Sequence, residues 1–351
     1  MERCQCDSPG FCDFYQTEML ANPPNWQWCQ NASPEQRTEQ WESIQKRLTR
    51  AKKGPSWGCG KNINKRFVTI AAMVEDCKQH LIPKLSKMNI SGVLGVPRSG
   101  MLPASICALW LNVPIYVVNK EGSLDIMSNV SSFGGSRMER FKEREGSILL
   151  IDDTLSTGRA MNNVLSNIKS DENILKCSVY VRPEIKDEVD VYGLALHHPY
   201  LLEWCFFNTS HMNISLLDFD GIFSPDVPVD IANDEEKYTE YITNVEPLYH
   251  RLPTLFQCKG IVTARLEKYR DITEAWLNKH NVKYGQLHMY PTEKEQRRNA
   301  NHIEEISTFK AEIYSRIPAK IFVESNQREA VLINKKSEKF VVCPDAERVY
   351  T

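Results

Sequence analysis

The sequence predicts an α/β protein with two domains and a short cysteine-rich segment in front of them. Two apolar runs of strand length end on acidic residues, at 148–153 and 216–220, and around each of them short aliphatic runs alternate with helical patterns. A chain of 351 residues is long enough to bury two separate cores. We therefore expect two Rossmann-like three-layer domains over 63–205 and 212–351, with the cysteine-rich segment at 1–62.

The predicted first domain follows from alternating periodicities. An amphipathic pattern predicts a helix over 67–88, and shorter helical patterns follow apolar runs. Further helices are predicted over 101–111 and 160–168, and strands over 92–96, 114–118, 148–151, 175–181 and 189–196. The stretch 120–137 is polar and contains glycine, so it is predicted to be a loop.

The predicted second domain begins after a junction at 199–213. A helix is predicted over 265–280, between two apolar runs of strand length. Strands are predicted over 213–217, 260–262 and 320–323. Two strand–loop–helix units with acidic ends therefore indicate two active sites.

Composition restricts the classes of function. Hydrophobic residues make up 42% and charged residues 25%, as in an ordinary soluble protein, and no apolar run is long enough to span a membrane. The formal net charge of -2 disfavours nucleic acid as the main partner, although the stretch 46–66 is basic. Most of the 11 cysteines lie singly in apolar runs, so we expect buried thiols and a cytoplasmic protein without a membrane partner.

Four cysteines cluster near the start of the chain, at Cys4, Cys6, Cys12 and Cys29. Four thiols within so short a segment permit a Zn²⁺ site with four cysteine ligands. Their spacing is not that of a standard zinc ribbon. An iron–sulfur cluster and ordinary free thiols are the alternatives.

Two segments of the first domain carry a family resemblance. Segment 95–100 reads Gly-Val-Pro-Arg-Ser-Gly, and segment 151–161 reads Ile-Asp-Asp-Thr-Leu-Ser-Thr-Gly-Arg-Ala-Met. They resemble the pyrophosphate loop and the PRPP-binding motif of type I phosphoribosyltransferases, where PRPP is phosphoribosyl pyrophosphate. The resemblance covers roughly 64–198 and implies small-molecule substrates, namely PRPP with a base or nucleotide. By analogy with such relatives we expect a homodimer.

The resemblance assigns roles within this domain. Asp152 and Asp153 would hold the ribose hydroxyls, directly or around Mg²⁺. The 5′-phosphate would be bound by Thr154, Ser156, Thr157, Gly158 and Arg159. The pyrophosphate would face Arg98, Ser99 and Gly100, with Arg137 as a second contact in the lid 131–137. Several purine-specific members have an aspartate where Ser156 stands, so the acceptor is not assigned.

The predicted second domain carries another resemblance. Asp218 and Asp220 follow an apolar strand two residues apart, so both side chains face the same side. With Thr263, Lys310 and Glu324 in this order, residues 212–351 resemble haloacid-dehalogenase phosphatases with a small cap.

That likeness implies an aspartyl-phosphate mechanism. Asp218 would be the nucleophile, Asp220 the general acid and base, and Asp218, Asp220 and Glu324 the Mg²⁺ ligands. Thr263 and Lys310 would contact the phosphoryl group, and Arg265 would either bind substrate or pair locally. Many relatives have two acids where this chain has Glu324 and Ser325, so one ligand is lost or replaced by Asn326.

These observations lead to the expectation of a two-site enzyme. It would transfer a phosphoribosyl group between PRPP and a base-like acceptor, and it would hydrolyse a phosphomonoester. One alternative is a PRPP- or nucleotide-sensing module that regulates the phosphatase. Another is a phosphatase that processes nucleic-acid ends, which the basic stretch 46–66 would favour.

Overall fold

The structure is a computed structural model that describes residues 65–127, 145–294 and 302–351. These residues belong to one compact unit, Lys61–Thr351. The cysteine cluster of segment 1–62 lies outside the described residues, and so does Arg137. No helix in the described ranges is both long and apolar enough to cross a membrane.

The first half of this unit is a six-stranded sheet. Its strands are β2 (Ile90–Gly95), β3 (Ile115–Val118), β4 (Leu124–Ile126), β5 (Ser147–Leu155), β6 (Ile174–Val181) and β7 (Val191–Ala195). They are ordered β4-β3-β2-β5-β6-β7, and all neighbours are parallel except β3 and β4. This order places β5 in the interior of the sheet, so its residues are covered on both faces.

Helices cover both faces of this sheet. Helix α1 spans 70–85 and consists of Ile70–Asp76, a π-helical turn Cys77–Leu81, and Ile82–Leu85. The other two are α2 (Met101–Leu111) and α3 (Arg159–Asn167). Leu149 and Ile151 pack with α1 and α2, whereas Ile148 and Leu150 pack with α3. The alternation of strand residues between two cores produces a three-layer arrangement.

The second half is another six-stranded sheet. Its strands are β9 (Ser215–Leu217), β10 (Cys258–Leu266), β11 (Tyr284–Tyr290), β12 (Ile321–Val323), β13 (Phe340–Cys343) and β14 (Arg348–Tyr350). The order is β11-β10-β9-β12-β13-β14, with only the last pair antiparallel. Its helices are α4 (Glu235–Asn244), α5 (Arg270–Lys279), α6 (His302–Arg316) and α7 (Gln327–Ser337).

Again the strands are buried on both sides. Leu217 packs in a core with Trp276 of α5, and Leu216 packs in a core with Tyr314 of α6. Short 3₁₀ turns complete the described chain, at Pro183–Glu188, Glu203–Cys205, Ser210–Ile214, Tyr249–Arg251, Glu267–Tyr269 and Thr292–Lys294. The expected α/β class with parallel sheets is confirmed.

A third, two-stranded sheet connects the halves. Strand β1 (Phe67–Val68) pairs in parallel with β8 (Leu201–Leu202). Phe67 is fully buried in the core of the second half, with its ring edge-on to Phe206 at 5.7 Å between centroids. Arg66 bridges the halves as well, because it pairs with Asp76 of α1 and with Glu347 beside β14.

Several predicted elements differ from the structure, among them the stretch 120–137, which contains β4 and is therefore not all loop. The helix predicted over 67–88 begins at Ile70, because Phe67 and Val68 form β1. The strand predicted over 148–151 continues to Leu155, so both acids of the first motif lie within it. The helix predicted over 265–280 begins at Arg270, because β10 runs to Leu266 beside β11.

Candidate functional site

The paired acids of the first site lie in an interior strand. Asp152 and Asp153 are part of β5 and are 7% and 3% exposed. Each carboxylate accepts a hydrogen bond from the next backbone amide, Asp153 N at 2.9 Å and Thr154 N at 2.8 Å. Burial, with a smaller contribution from Asp153, raises the pKa of Asp152 to about 8. Two adjacent acids this deeply buried are costly to the fold, which is typical of functional sites.

The loop 96–100 lies directly beside these acids. It follows β2, whose last residue Gly95 is in register with Ile151 of β5. Gly100 packs so closely that a side-chain carbon there would lie 2.7 Å from the carbonyl oxygen of Ile151. Only glycine fits at this position. The structure therefore places Gly100 of this loop against the strand that carries the paired acids.

The loop after β5 has the features of an anion-binding turn. Gly158 has a φ of 68° and caps α3 without a side chain, and the Arg159 amide makes only a long hydrogen bond of 3.5 Å to Oγ1 of Thr157. Arg182 donates a hydrogen bond of 2.9 Å to the carbonyl of Ser156 and holds the loop from the end of β6. Ser156, Thr157 and Arg159 are exposed. The first two lie in the loop between β5 and α3, and Arg159 is the first residue of α3, so a phosphate could approach all three.

Two aromatic residues at the first site were missed by the sequence analysis. The indole Nε1 of Trp204 donates to the second oxygen of Asp153 at 2.6 Å, and the hydroxyl of Tyr200 lies 2.5 Å from Oγ1 of Thr154. Cys205 follows, with its Sγ 3.9 Å from Nη2 of Arg98. The junction 199–213 gave no sequence signal for these contacts, since they join residues about fifty positions apart or more.

In the second site, three carboxylates surround one ammonium group. Lys310 Nζ lies 2.8 Å from Asp218, 2.6 Å from Glu324 and 2.8 Å from Glu329. Lys310 is 1% exposed. Burial alone would lower its pKa, but the carboxylates raise it well above the ordinary value, so it stays charged. Burial also raises the pKa of Asp218, to about 6, and Lys310 opposes that rise.

Glu329 was missed by the sequence analysis. It lies in the first turn of α7, whose cap is the side chain of Asn326, which accepts hydrogen bonds from the amides of Arg328 and Glu329. Asn326 is thus engaged in capping, and Glu329 is the additional carboxylate near Glu324. The sequence signal that could have identified Glu329 is its position five residues after Glu324, in the first turn of a helix that Asn326 caps.

Asp220 faces a different partner. Arg265 donates two hydrogen bonds to its carboxylate, from Nε at 3.0 Å and from Nη2 at 2.7 Å. Thr263 and Arg265 lie within β10, and Oγ1 of Thr263 accepts from the Arg265 amide at 3.2 Å. Their prediction at a helix start is therefore wrong. Of the two roles considered for Arg265, the structure shows local pairing.

The donor set of the second site suits Mg²⁺ chemically. Three carboxyl groups face a single ammonium group, and carboxylate oxygens are the ligands that Mg²⁺ prefers. Within the described ranges, the structure shows no group of three or more His, Cys, Asp or Glu side chains that could hold a metal ion. Lys310 lies at the centre of the carboxylates instead.

Comparisons with known proteins give structural likenesses only. No family model and no curated protein matches the chain. A purine phosphoribosyltransferase from Pyrococcus horikoshii aligns at 19% identity over 42% of this chain and 98% of its own, with a TM-score of 0.29. The xanthine-guanine-hypoxanthine phosphoribosyltransferase of Helicobacter pylori aligns at 14% identity over 41% and 93%, with a TM-score of 0.28. Each of these alignments covers less than half of this chain.

Proposed function

We propose that this chain is a bifunctional enzyme with a phosphoribosyltransferase site and a phosphomonoesterase site. The observation that carries the proposal is the placement of Asp152 and Asp153 on an interior parallel strand, directly against the Arg98 loop through Gly100. This arrangement offers carboxylates for sugar hydroxyls and a cationic loop for a leaving pyrophosphate at the same edge of the sheet.

At the first site, the proposed step exchanges groups on the ribose C1 carbon. The bond from C1 to the pyrophosphate oxygen breaks, and a bond from C1 to the acceptor forms. Asp152 and Asp153 would orient the ribose through its hydroxyls, and the amides before α3 would hold the 5′-phosphate. Arg98 would stabilise the charge that develops on pyrophosphate. The reverse exchange uses the same groups.

At the second site, the proposed step is nucleophilic displacement at phosphorus. A carboxylate oxygen of Asp218 attacks, the ester P–O bond breaks, and an aspartyl-phosphate forms. Lys310, already 2.8 Å from Asp218, would neutralise the transferred phosphoryl group. Asp220 would pass a proton to the leaving oxygen and then accept one from the water that attacks the aspartyl-phosphate, whose P–O bond to Asp218 breaks so that inorganic phosphate leaves. To do so, it must release one of its hydrogen bonds from Arg265.

Mg²⁺ belongs to the proposal at both sites. Asp218 and Glu324 would hold it in the second site, and Asp152 and Asp153 would hold it together with ligand oxygens in the first. When bound, it supplies charge neutralisation at phosphate oxygens.

One experiment tests both halves. The full chain is mixed with PRPP, Mg²⁺ and a panel of bases and amines, and pyrophosphate and inorganic phosphate are followed separately. Asp152→Asn combined with Asp153→Asn should stop pyrophosphate release alone. Asp218→Asn should stop phosphate release alone. If both variants match wild type, the site assignments are wrong.

The second candidate is a sensor that binds PRPP and regulates the phosphatase. It is favoured by the continuous segment in which Trp204 and Cys205 contact the first site and Phe206 is buried in the core of the second half. Pyrophosphate release distinguishes the two functions. A sensor binds PRPP but releases no pyrophosphate with any acceptor, and its phosphatase rate changes when PRPP is added.

A further inference from the structure

The hydrogen bond from Trp204 to Asp153 is a short contact to a group that the proposed reaction needs. The distance from Nε1 to Oδ2 is 2.6 Å, and Asp153 is 3% exposed. An indole N–H can only donate a hydrogen bond, so this contact favours the orientation of Asp153 in which Oδ2 faces the N–H group of Trp204. Hydrogen bonds to ionised acceptors are among the stronger ones in proteins.

Trp204 and the backbone together fix the plane of this carboxylate. Oδ1 accepts from the amide of Thr154 at 2.8 Å, and Oδ2 accepts from Trp204. A carboxylate can accept about four hydrogen bonds, so acceptor positions remain on both oxygens. With both oxygens held, the remaining lone pairs point in a fixed direction, where an additional hydroxyl can bind.

Trp204 is itself held by its neighbours on both sides. Before it, Tyr200 contacts Thr154, and the carboxylate of Glu203 accepts from the amide of Ile70 at 3.1 Å. After it, Phe206 is fully buried and packs edge-on against Phe67. The indole therefore presents its N–H from a segment that is fixed at several points.

We propose that Trp204 is the positioning residue of the first site, which aims Asp153 at a hydroxyl of the bound ribose. The inference rests on the proposed function and extends it to a residue outside both motifs. Trp204 does not touch the reacting atoms in this proposal. It acts through Asp153, so its loss should weaken only ligands that carry the ribose hydroxyls.

The test compares two ligands on the full chain by calorimetry, PRPP and inorganic pyrophosphate, each without Mg²⁺, so that the role proposed for Asp153 as a metal ligand does not enter. Trp204→Phe keeps an aromatic ring but removes the donor. The dissociation constant for PRPP should rise about tenfold, because a carboxylate that the indole no longer holds makes a weaker hydrogen bond to the ribose hydroxyl. The dissociation constant for pyrophosphate, which has no ribose, should change less than about twofold. Trp110→Phe, the same substitution at a 45% exposed position of α2, is the matched control.

The remaining outcomes overturn the inference in distinguishable ways. Equal weakening of both ligands would mean that Trp204 only supports the structure of the site. Unchanged PRPP binding would mean that the indole does not orient Asp153 for the sugar. Tighter PRPP binding would mean that the indole competes with the ribose hydroxyl for this carboxylate. A wild-type protein that binds neither ligand, with or without Mg²⁺, would overturn the proposed function, and this inference with it.

Discussion

Arg265 holds both carboxylate oxygens of Asp220 through Nε and Nη2, at 3.0 and 2.7 Å. Its guanidinium also lies over the ring of Phe219, 3.6 Å from the centroid, and its side chain is 0% exposed. A planar guanidinium fits a carboxylate in only a few orientations. Arg265 therefore holds the Asp220 carboxylate together with Ser224, whose Oγ donates to Oδ1 at 3.2 Å.

Removing this arginine should destabilise the second half. Arg265→Met fills similar space but leaves Asp220 without its cationic partner, and breaking a largely buried ion pair costs about 3 kcal/mol. The free energy of unfolding, measured by urea titration, should fall by that amount. Arg316→Met is the control, because Arg316 is 77% exposed and lies 3.8 Å from Glu312, so its loss should cost at most about 0.5 kcal/mol. Equal losses in the two variants would contradict the buried pair.

Substitutions among Lys310 and its carboxyl partners should affect stability and activity differently. Asp218→Asn removes one of three carboxylates that face a single ammonium group, so repulsion decreases and the free energy of unfolding should not fall. Lys310→Met leaves the carboxylates without their cation and should cost about 3 to 5 kcal/mol. Phosphate release from p-nitrophenyl phosphate should be lost in both variants.

The comparison between these two variants decides the interpretation. If Asp218→Asn is as unstable as Lys310→Met, the carboxylate holds the fold together, and its loss of activity says nothing about a nucleophile. If Asp218→Asn is stable and still releases phosphate, the proposed aspartyl-phosphate is excluded.

Local patterns in the sequence were sufficient for the strands that carry the acids, but not for β1, β4, β8, β11, β13 and β14. The apolar run before Asp152 and the Gly-rich loop before α2 each report their own structure, because burial and turn chemistry act over a few residues. Parallel pairing then places the ends of neighbouring strands side by side, so Gly100 and Ile151 could be expected to meet. The α/β class follows from the same local signals.

The remaining site residues depend on contacts that no local pattern encodes. Trp204 contacts Asp153 across 51 positions, and Lys310 contacts Asp218 across 92. Lys310 was found because its order along the chain resembled a family, whereas Trp204 had no such guide. Thr263 is predicted at a helix start because the apolar pattern stops at Val262, although the strand itself continues through Thr263 and Arg265.

Phe67 is a third case, and it leads to a prediction. It was assigned to a helix of the first domain, but it lies in the core of the second half with Phe206 and Phe207. Phe67→Ala should lower the free energy of unfolding by about 3 to 5 kcal/mol, as for other buried phenylalanines. Leu109→Ala, at an 82% exposed position, should change it by less than about 0.5 kcal/mol. A loss below about 1 kcal/mol at Phe67 would show that β1 contributes little to that core.

The raised pKa of Asp152 predicts how stability varies with pH. Its pKa is about 8 in the folded protein against 3.8 ordinarily, because burial and then Asp153 disfavour the ionised form. Between these two values the folded protein retains a proton that the unfolded chain has released, so stability falls as pH rises through this window. Asp152→Asn lacks the ionisable group. Relative to wild type, it should therefore become more stable by up to about 3 kcal/mol between pH 5 and pH 7.

The measurement is a series of urea unfolding curves at pH 5, 6 and 7 without Mg²⁺ or PRPP, because either ligand would change the charge around Asp152. The difference between Asp152→Asn and wild type should grow steadily with pH, since only wild type must ionise a buried carboxyl group. Asp171→Asn, at an exposed position of the same half, should follow wild type throughout. A constant difference across the series would mean that Asp152 is already ionised at pH 5, and that its burial is compensated by neighbours other than Asp153.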